Sequence, residues 1–415
     1  MATTLKFGNG QWATKKGSTL AYNDENNNFK PLPFNFERST SATRVNKQGL
    51  IEVVSNNEPR IDFKDDANGA LLLEPSRSNL ITYSEDFSDA YWTKSGASVT
   101  SGFSSPDGTT KAFKLVEDNN ISSHRVNFNS TISLGVVAKH TYSLFAKKGE
   151  NNFIGILDLA SVKGRWFNLN DGTIGEARAN APISSKIEEL SNGWYKCSIT
   201  VEATNSNGNM YVYTSSDGID SNISYQGDGT SGVYIYGAQL EQGSYATSYI
   251  PTQGSVVTRV ADVCSDGGNE QVINSTEGVL YYEVSAQDNS ITTSVLSISS
   301  GSNANSLYSG FSSSSNTIQA QIIVGGVAQT NMSYVVSDRT KFNKVAILYQ
   351  NNNHKMYVNG VEAVVDTNGS VPSANTFDRL NFDLGQGSFD FYGNVKDVRL
   401  YNTALTDAEL IALTS

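Results

Sequence analysis

The sequence has 415 residues, enough for two or three separate hydrophobic cores. It carries 30 Lys and Arg against 41 Asp and Glu, and the resulting net charge of -11 argues against nonspecific binding to nucleic acid or anionic membrane. Its apolar runs are too short to span a bilayer, and the first residues lack the apolar stretch of a signal peptide. We therefore expect a soluble chain without membrane insertion that is not exported by the usual signal-dependent route.

The composition favours β-structure with many turns. There are 53 Ser and 42 Asn, residues that prefer turns and caps, together with 20 Tyr and 18 Phe. The two cysteines, Cys197 and Cys264, are far apart and predict free buried thiols rather than a disulfide framework. The three histidines are too widely spaced in sequence to indicate a zinc site or a catalytic triad.

In chain order, residues 1–80 show no regular strand spacing and predict an extended, partner-dependent arm with a few short strands. Residues 193–201 then alternate an apolar set with a more polar one, which predicts a half-buried strand. Residues 210–213 and 233–236 are further aromatic and β-branched runs, and Asp-Gly and Asn-Gly pairs between such runs are typical of tight hairpins. This spacing indicates antiparallel sandwiches.

The C-terminal part carries the clearest local pattern. Residues 345–349, 355–358 and 361–365 predict a three-stranded meander, and residues 395–401 predict a later strand. Thr406 and Glu409 fit a capping box before the apolar residues 410–413, which predicts the only convincing helix.

These patterns predict an all-β fold: two antiparallel β-sandwiches (jelly rolls) in tandem after an extended N-terminal arm, with one short C-terminal helix. The predicted boundaries are 1–80 for the arm, 81–250 for the first sandwich, 251–268 for a connector and 269–415 for the second sandwich.

Candidate site residues are of two kinds. Sugars stack on exposed aromatic rings, and among the tryptophans and tyrosines of the chain the carbohydrate-binding candidates are Trp92, Trp166, Tyr308 and Tyr334. Loop aspartates are hard oxygen ligands that suit calcium, and the candidates are Asp107, Asp217, Asp220 and Asp228. Both sets also have a structural interpretation, in which the aromatic residues pack in the protein interior and the Asp-Gly pairs form turns. No other cofactor is expected, and no phosphate-binding glycine loop occurs.

Catalytic residues are not predicted. The adjacent carboxylates Glu188-Glu189 and Asp65-Asp66 would point to opposite faces of a strand, whereas a glycosidase needs two carboxylates facing one cleft. We therefore expect that the protein is not an enzyme.

Residues 36–45, 49–52, 59–63 and 71–87 resemble a segment common in bacteriophage virion proteins. In those proteins it precedes a carbohydrate-binding-module-like jelly roll, which here would include Tyr91-Trp92 and residues 142–147 and 193–195, and would close with residues 237–243 and 247–252. This resemblance spans about residues 34–263. Residues 277–415 resemble a concanavalin A-like (laminin-G-like) sandwich through residues 357–360, 391–393 and 398–406.

The resemblance implies a bacteriophage structural and adhesion protein on the virion surface, made in the host cytoplasm: a tail fibre, tailspike-like protein or head fibre. The arm would attach it to other virion proteins and the sandwiches would bind host-surface glycans without cleaving them. A polysaccharide depolymerase and a capsid decoration protein that binds no glycan remain alternatives. The irregular apolar positions of the arm (Leu32, Phe34, Phe36, Val45, Leu50, Ile51, Val53, Ile61, Phe63 and Leu71–Leu73) predict burial against other copies of the chain or against a neighbouring sandwich, and the resemblance to phage fibres implies a homotrimer.

Overall fold

The computed structural model describes residues 3–12, 34–128, 138–203, 208–290 and 292–415, and the backbone of a few short strands between these ranges. Almost all regular structure is β, as predicted, and the described part of the chain contains one α-helix, α1 (Asp407–Thr414). None of the helical structure in the described ranges is long and apolar enough to cross a membrane.

The strands are numbered in chain order. Those that begin before residue 100 are β1 (Leu5–Gly8), β2 (Thr14–Lys15), β3 (Ser18–Thr19), β4 (Tyr22–Asn23), β5 (Asn28–Phe29), β6 (Phe34–Glu37), β7 (Ala42–Val45), β8 (Ile51–Val54), β9 (Ile61–Asp62), β10 (Ala70–Leu73), β11 (Arg77–Asn79), β12 (Trp92–Ser95) and β13 (Ala97–Phe103). The next are β14 (Ala112–Glu117), β15 (Ile121–Ser122), β16 (Arg125–Phe128), β17 (Ile132–Ser133), β18 (Lys139–Lys148), β19 (Phe153–Asp158), β20 (Lys163–Asn168), β21 (Thr173–Ala177), β22 (Ser184–Glu189), β23 (Trp194–Glu202), β24 (Asn207–Gly208), β25 (Met210–Ser215), β26 (Tyr225–Gln226) and β27 (Gly232–Gln242). The last are β28 (Val257–Arg259), β29 (Val263–Ser265), β30 (Glu277–Ala286), β31 (Ser294–Ser299), β32 (Ser306–Phe311), β33 (Thr317–Val324), β34 (Val327–Val335), β35 (Asn343–Gln350), β36 (His354–Val358), β37 (Val361–Asp366), β38 (Arg379–Asn381) and β39 (Gly393–Tyr401).

The chain forms two compact units that interleave in sequence. Unit 1 consists of Met1–Ser41, Val54–Pro75 and Val260–Ser415, and unit 2 consists of Ala42–Val53 and Ser76–Arg259. This division differs from the predicted one, because residues 1–80 are shared between the two units instead of forming a segment of their own.

Unit 1 is a β-sandwich. Its large sheet has the order β37-β36-β35-β30-β39-β1-β4-β5, with β10 also paired to β39 and β9 paired to β10, and its small sheet has the order β34-β33-β32-β31-β38. Alternate residues of both sheets meet in one apolar core, for example Leu280 and Ile347 from the large sheet and Leu296 and Ile318 from the small sheet. The meander β35-β36-β37 and the strand β39 confirm the strands predicted for this part of the chain.

The predicted helix is confirmed with its capping box. The side chain of Thr406 accepts a hydrogen bond from the backbone N–H of Glu409, and the Glu409 carboxylate accepts one from the backbone N–H of Thr406. Leu410 packs on the outer face of the large sheet against a second apolar cluster that includes Tyr281 and Tyr357. The helix therefore covers apolar residues that the sandwich core does not reach.

Short strands from the first 75 residues complete unit 1. β1 pairs along β39 from Leu5↔Leu400 to Gly8↔Asp397, and β10 pairs with the beginning of the same strand. Leu5, Phe7, Phe34, Phe36, Ile61, Leu71 and Leu73 are buried in the core that the two sheets enclose. These residues lack a regular spacing in sequence because each strand contributes only a few side chains to a sheet built mainly by residues after 260.

A buried ionic cluster joins the three chain segments of unit 1. Arg38 Nη1 lies 3.0 Å from Asp262 Oδ1, Arg60 Nη1 lies 2.7 Å from Glu74 Oε2, and Arg60 Nη2 also contacts Asp262 Oδ2. All four side chains are at most 2 % exposed. Burial by itself would lower the pKa of Arg60, but the carboxylates of Asp262 and Glu74 raise that pKa above its ordinary value. The cluster thus brings two arginines and two carboxyl side chains together in the interior of unit 1.

Backbone groups also take part in the hydrogen bonding of this cluster. Arg38 donates to the carbonyls of Thr40 (2.9 Å), Ser55 (2.7 Å) and Glu58 (3.1 Å), and the Glu74 N–H donates to Asp262 Oδ2 at 2.8 Å. Buried charges are tolerated when they are paired and hydrogen-bonded in this way.

Unit 2 is a second sandwich. Its first sheet has the order β12-β16-β25-β19-β20-β21, and its second sheet has the order β13-β14-β27-β18-β23-β22. The core between them includes Val126, Ile156, Cys197 and Ile199. The apolar face predicted for residues 193–201 is confirmed, since Cys197, Ile199 and Val201 lie in this core. The strand is not half-buried as predicted, because Ser198 and Thr200 on its other face are buried as well. Both cysteines are free and buried, as expected, and burial raises the pKa of each thiol.

The outer face of the second sheet in unit 2 is also covered. Phe145, Trp194, Tyr236 and Tyr249 form an apolar cluster there with Ile51 from β8. The hairpin β7–β8 thus belongs to this unit, and the Thr43 hydroxyl donates to the carbonyl of Tyr249 at 2.7 Å.

Of the two ways of burying the apolar residues of the predicted arm, the structure shows packing against the sandwiches. Most of the apolar residues that were expected to need a partner are buried within the chain itself, whereas Val53 is 64 % exposed and Leu32 lies outside the described residues. The physical reason is that these residues complete sheets formed by distant parts of the same chain.

Replacing Asp262 with Asn should destabilise unit 1 strongly. The change leaves Arg38 and Arg60 buried with Glu74 as the one remaining carboxylate of the cluster, and breaking a buried ion pair costs about 3 to 5 kcal/mol. Asp65→Asn in the same unit is the matched control, because the side chain of Asp65 is 53 % exposed beside Lys64 and such a pair contributes below about 1 kcal/mol. Calorimetric unfolding measures both, and equal losses from the two variants would contradict the assigned role of the cluster.

The stability of both units should fall as the pH is lowered from 7 to 5. Burial lowers the pKa of His140 in unit 2 and of His354 in unit 1 below the ordinary value of 6.5, so the unfolded chain takes up protons first. No partner exists for either ring nitrogen of His354 among the described residues, so His354→Leu should flatten the pH dependence of the unit 1 transition. His140→Leu should do the same for unit 2, and an unchanged slope in either variant would refute its assignment.

Candidate functional site

A row of polar side chains crosses the outer face of the small sheet in unit 1. Strand register places Asn381 beside Ser297, Ser297 beside Tyr308, Tyr308 beside Gln321, and Gln321 beside Asn331. Each of these residues alternates with core residues such as Leu296, Leu307, Ala320 or Met332, so all five lie on the face away from the core. We call this set the Tyr308 row.

Tyr308 lies at the centre of the row and is half-buried. Its hydroxyl donates to Gln321 Oε1 at 2.9 Å, and the Gln321 amide nitrogen donates in turn to Asn331 Oδ1. Burial raises the pKa of Tyr308, so the phenol stays protonated at neutral pH. This chain of hydrogen bonds holds the Tyr308 ring and the two amides in fixed positions.

Two serine hydroxyls belong to the same face. Ser297 and Ser306 are fully buried, and within the described ranges neither hydroxyl has a hydrogen-bond partner. Buried polar groups are usually satisfied, so these two hydroxyls mark a part of the face whose hydrogen bonding the described residues do not complete.

A loop at residues 383–388 borders the row beside β31. Gly385 has a φ of +92°, and a Cβ at this position would lie 2.6 Å from the Ser299 hydroxyl, so only glycine allows this approach. Asp383 accepts hydrogen bonds from the N–H groups of Gly385 and Gly387, and burial nevertheless raises its pKa. Next to the loop, Phe389 is 53 % exposed at a φ of +58°, while its carbonyl accepts from Val295. A bulky residue in this region of φ is a strained position.

The structure places the predicted aromatic residues in different environments. Trp92 is 1 % exposed in the core of unit 2, where its indole nitrogen donates to the carbonyl of Tyr83 at 2.8 Å. Trp166 is fully buried on the outer face of the first sheet of that unit. Neither ring is available for stacking with a sugar, which is a correction to the prediction.

Tyr308 and Tyr334 both lie in the small sheet of unit 1 but on opposite faces. Tyr334 is opposite Ile318 in the register of β33 and β34 and packs, partly buried, against the core. Tyr308 is thus the predicted aromatic residue that the structure places in a polar, partly exposed setting.

The four aspartates proposed for calcium are engaged in turns. Both carboxylate oxygens of Asp107 accept hydrogen bonds, from Ser105 and Thr109 on one side and from Tyr236 on the other. Asp217 and Asp228 accept from backbone N–H groups and side chains two to five residues along the chain.

Asp220 pairs with Arg178 at 3.0 Å and accepts from the N–H of Ala179. Among the described residues, no group of three or more His, Cys, Asp or Glu side chains is arranged to hold a metal ion.

The candidates named from the sequence include Tyr308 but not Ser297, Gln321, Asn331 or Asn381, which the structure places in the same row. A signal was present within each strand, since Ser297 alternates with Leu296 and Ile298, and Gln321 with Ala320 and Ile322. The alternation identifies an outward face for each strand, but the register that aligns the five residues is not visible in it.

Comparison with models of protein families gives a match to a superfamily within unit 1. Residues 281–411 match the concanavalin A-like lectin/glucanases superfamily. The resemblance predicted for residues 277–415 is confirmed over this range, and we call it the lectin-like domain. It contains the Tyr308 row. A comparison with curated protein sequences gives no match.

Solved structures with some likeness include three carbohydrate-binding proteins or domains. The CBM40 domain of the Ruminococcus gnavus IT-sialidase is 17% identical, with 36% of this chain and 94% of that chain covered, at a TM-score of 0.31. Domain 4 of the Geobacillus stearothermophilus arabinanase AbnA, in complex with arabinotriose, is 14% identical, with coverages of 42% and 84% and a TM-score of 0.30. A putative carbohydrate binding protein from Bacteroides ovatus is 12% identical, with coverages of 71% and 80% and a TM-score of 0.27. At these TM-scores the likenesses carry no argument about function.

Calcium should not stabilise the protein through the four loop aspartates, because their oxygens already accept hydrogen bonds. An ion present at 100 times its Kd would add about 2.7 kcal/mol and raise the melting temperature by several degrees. We expect equal melting temperatures in EDTA and in millimolar calcium. A rise of several degrees that Asp217→Asn or Asp228→Asn abolishes would contradict this expectation.

Proposed function

We propose that the protein binds glycans without cleaving them, and that Tyr308, Gln321 and Asn331 of the Tyr308 row form the contact surface on the lectin-like domain. The observation that carries the proposal is the alignment of the Tyr308 ring with the amides of Gln321 and Asn331 on neighbouring strands, where all three side chains are partly or fully exposed. Ser297 and Asn381 continue the row but are buried.

The chemistry of the row suits a sugar. A pyranose presents hydroxyl groups around its edge and C–H groups on its faces, so it needs hydrogen-bond donors and acceptors beside a flat apolar surface. The amides of Gln321 and Asn331 supply both donors and acceptors. Tyr308 supplies the flat surface with few rotatable bonds, and its hydrogen bond to Gln321 limits the freedom that binding would otherwise remove.

A polysaccharide depolymerase is the second candidate function. Glycoside hydrolysis by the usual route needs two carboxylates that flank the scissile bond. The Tyr308 row consists of amide and hydroxyl side chains, and the bordering Asp383 is buried with its carboxylate occupied by two backbone N–H groups. This chemistry favours binding over cleavage.

We further propose that the protein acts on the surface of a bacteriophage particle, as a tail-fibre, tailspike-like or head-fibre subunit. Support comes from the resemblance of residues 34–263 to virion proteins. The blocks that resemble virion proteins include Arg38, Arg60 and Glu74, which take part in the buried ionic cluster of unit 1. These blocks therefore have a structural role that does not depend on where the protein is located. A homotrimer follows from the same resemblance alone.

Tyr308→Ala should weaken glycan binding at least tenfold, because loss of the ring removes apolar contact worth about 1.4 kcal/mol or more. Gln321→Ala should weaken binding less, and Val361→Ala is the matched control, since Val361 is 47 % exposed on the other sheet of the same unit. A glycan array identifies the ligand and calorimetry measures its Kd. Equal affinity of the Tyr308→Ala and Val361→Ala proteins would refute the site.

Separate measurements decide between the wider alternatives. Antibody labelling of purified phage particles in the electron microscope should locate the protein on the virion, and its absence there would end the virion proposal. New reducing ends or unsaturated products from host polysaccharide would favour the depolymerase. A particle-bound protein with no response on the glycan array would favour a capsid decoration protein. Light scattering on the purified chain measures the molar mass and so tests the proposed trimer.

A further inference from the structure

A cationic aromatic cluster lies on the outer face of the first sheet of unit 2. Arg125 on β16 is opposite Tyr213 on the neighbouring strand β25, and its guanidinium carbon lies 5.2 Å from the ring centre of Tyr211 and 5.9 Å from that of Tyr213. The two rings are stacked with centres 6.2 Å apart. Val126 and Val212 point into the core, so Arg125, Tyr211 and Tyr213 share the face away from it.

A second arginine closes the other side of the cluster. Arg178 lies 4.6 Å from the centre of the Tyr213 ring and forms an ion pair with Asp220 at 3.0 Å. Trp166 packs beside Tyr213 on the same face of the sheet. Tyr213 is consequently 4 % exposed, whereas Tyr211 and Arg125 are only partly buried and border the solvent.

The charge of Arg125 is not balanced by the part of the chain that the structure describes. Arg178 has Asp220, but no described carboxylate lies within ion-pair distance of Arg125, whose Nη1 donates instead to the neutral hydroxyl of Ser123 at 2.5 Å. Its Nε is buried and has no hydrogen-bond partner in the described ranges, and the same holds for Nε1 of the fully buried Trp166. An unpaired cation is notable in a chain with a net charge of -11.

We propose that this face of unit 2 is a second binding site, which takes a carboxylate-bearing sugar of an acidic glycan. The Arg125 guanidinium would pair with the sugar carboxylate, and the partly exposed Tyr211 ring would contact the apolar face of the same residue. A guanidinium matches the geometry of a carboxylate and makes stronger hydrogen bonds to it than neutral groups make.

The neighbourhood of Arg125 favours a carboxylated sugar over a free inorganic anion. A phosphate or sulfate ion would use the charge alone, whereas the site places the charge directly beside two aromatic rings. Aromatic rings also hold the guanidinium in position through cation–π contacts, which pre-organises it for a planar partner. A neutral sugar would leave the charge of Arg125 unpaired.

This site is independent of the Tyr308 row, because the two faces belong to different units and the row has no arginine. The proposal therefore stands or falls separately from the proposed function of the lectin-like domain. In this proposal unit 2 binds an acidic sugar, whereas the Tyr308 row of unit 1 consists of neutral hydrogen-bonding side chains.

The test uses the full chain and two probes, a trimer of galacturonic acid and a trisaccharide that ends in sialic acid, each compared with its carboxyl methyl ester. We expect at least one acid to bind and its ester to bind at least tenfold more weakly in calorimetry. Arg125→Ala should weaken binding of that acid at least tenfold, Arg125→Lys should restore part of the affinity, and Tyr211→Ala should also weaken it. Circular dichroism and thermal unfolding show whether each variant remains folded.

Matched controls separate this site from general charge effects. Lys186→Ala removes a positive charge from the same unit, where the side chain is 60 % exposed, and should leave the affinity within about twofold. Tyr308→Ala should leave binding of the acid unchanged. Equal binding of acid and ester, no binding of either acid, retained affinity in Arg125→Ala, or equal displacement of the sugar by inorganic phosphate at the same concentration would overturn the proposal.

Discussion

Two arginines and two carboxylates, buried together, hold the three chain segments of unit 1 at one place. Arg38 comes from the first segment, Arg60 and Glu74 from the second, and Asp262 from the third. Between these segments the chain leaves the unit twice to form unit 2. Since charges without partners are costly in a protein interior, the cluster is stable only when all three segments are in place. Unit 1 is therefore stable only when the chain follows this interleaved path.

The ionic cluster also positions the strands that complete the lectin-like domain. β10 ends one residue before Glu74 and pairs with β39, while β29 begins one residue after Asp262 and pairs with β6. The ionic cluster thus lies at the ends of strands whose apolar residues enter the core. Loop closure over some two hundred residues is entropically unfavourable, and the contacts made at closure offset that cost. Unit 1 is in this sense a lectin-like sandwich whose edge strands are supplied by the beginning of the chain.

The two units present outer faces with different chemistry. The Tyr308 row of unit 1 offers amides and hydroxyls around one ring, and the Arg125 cluster of unit 2 offers a cation among aromatic rings. In both, the face lies opposite a well-packed core, so the side chains are carried on a rigid sheet rather than on loops. The two proposed sites on one chain would also increase the avidity for a glycan that displays both kinds of residue, provided that it can reach both.

The sequence by itself determined the local elements. Alternation with period two placed the strands around residues 193–201 and 345–365, and the capping box placed α1, because these features depend only on neighbouring residues. Tyr308 was also recognised from its residue type. Only the tertiary structure decided which residues accompany it, since Gln321, Ser297 and Asn381 become neighbours through the register of separate strands. For the same reason the sequence pattern indicates an arm at residues 1–80, where the structure has strands of two units, and the burial of the candidates Trp92 and Trp166 is not visible in it. These environments are created by strands from distant parts of the chain.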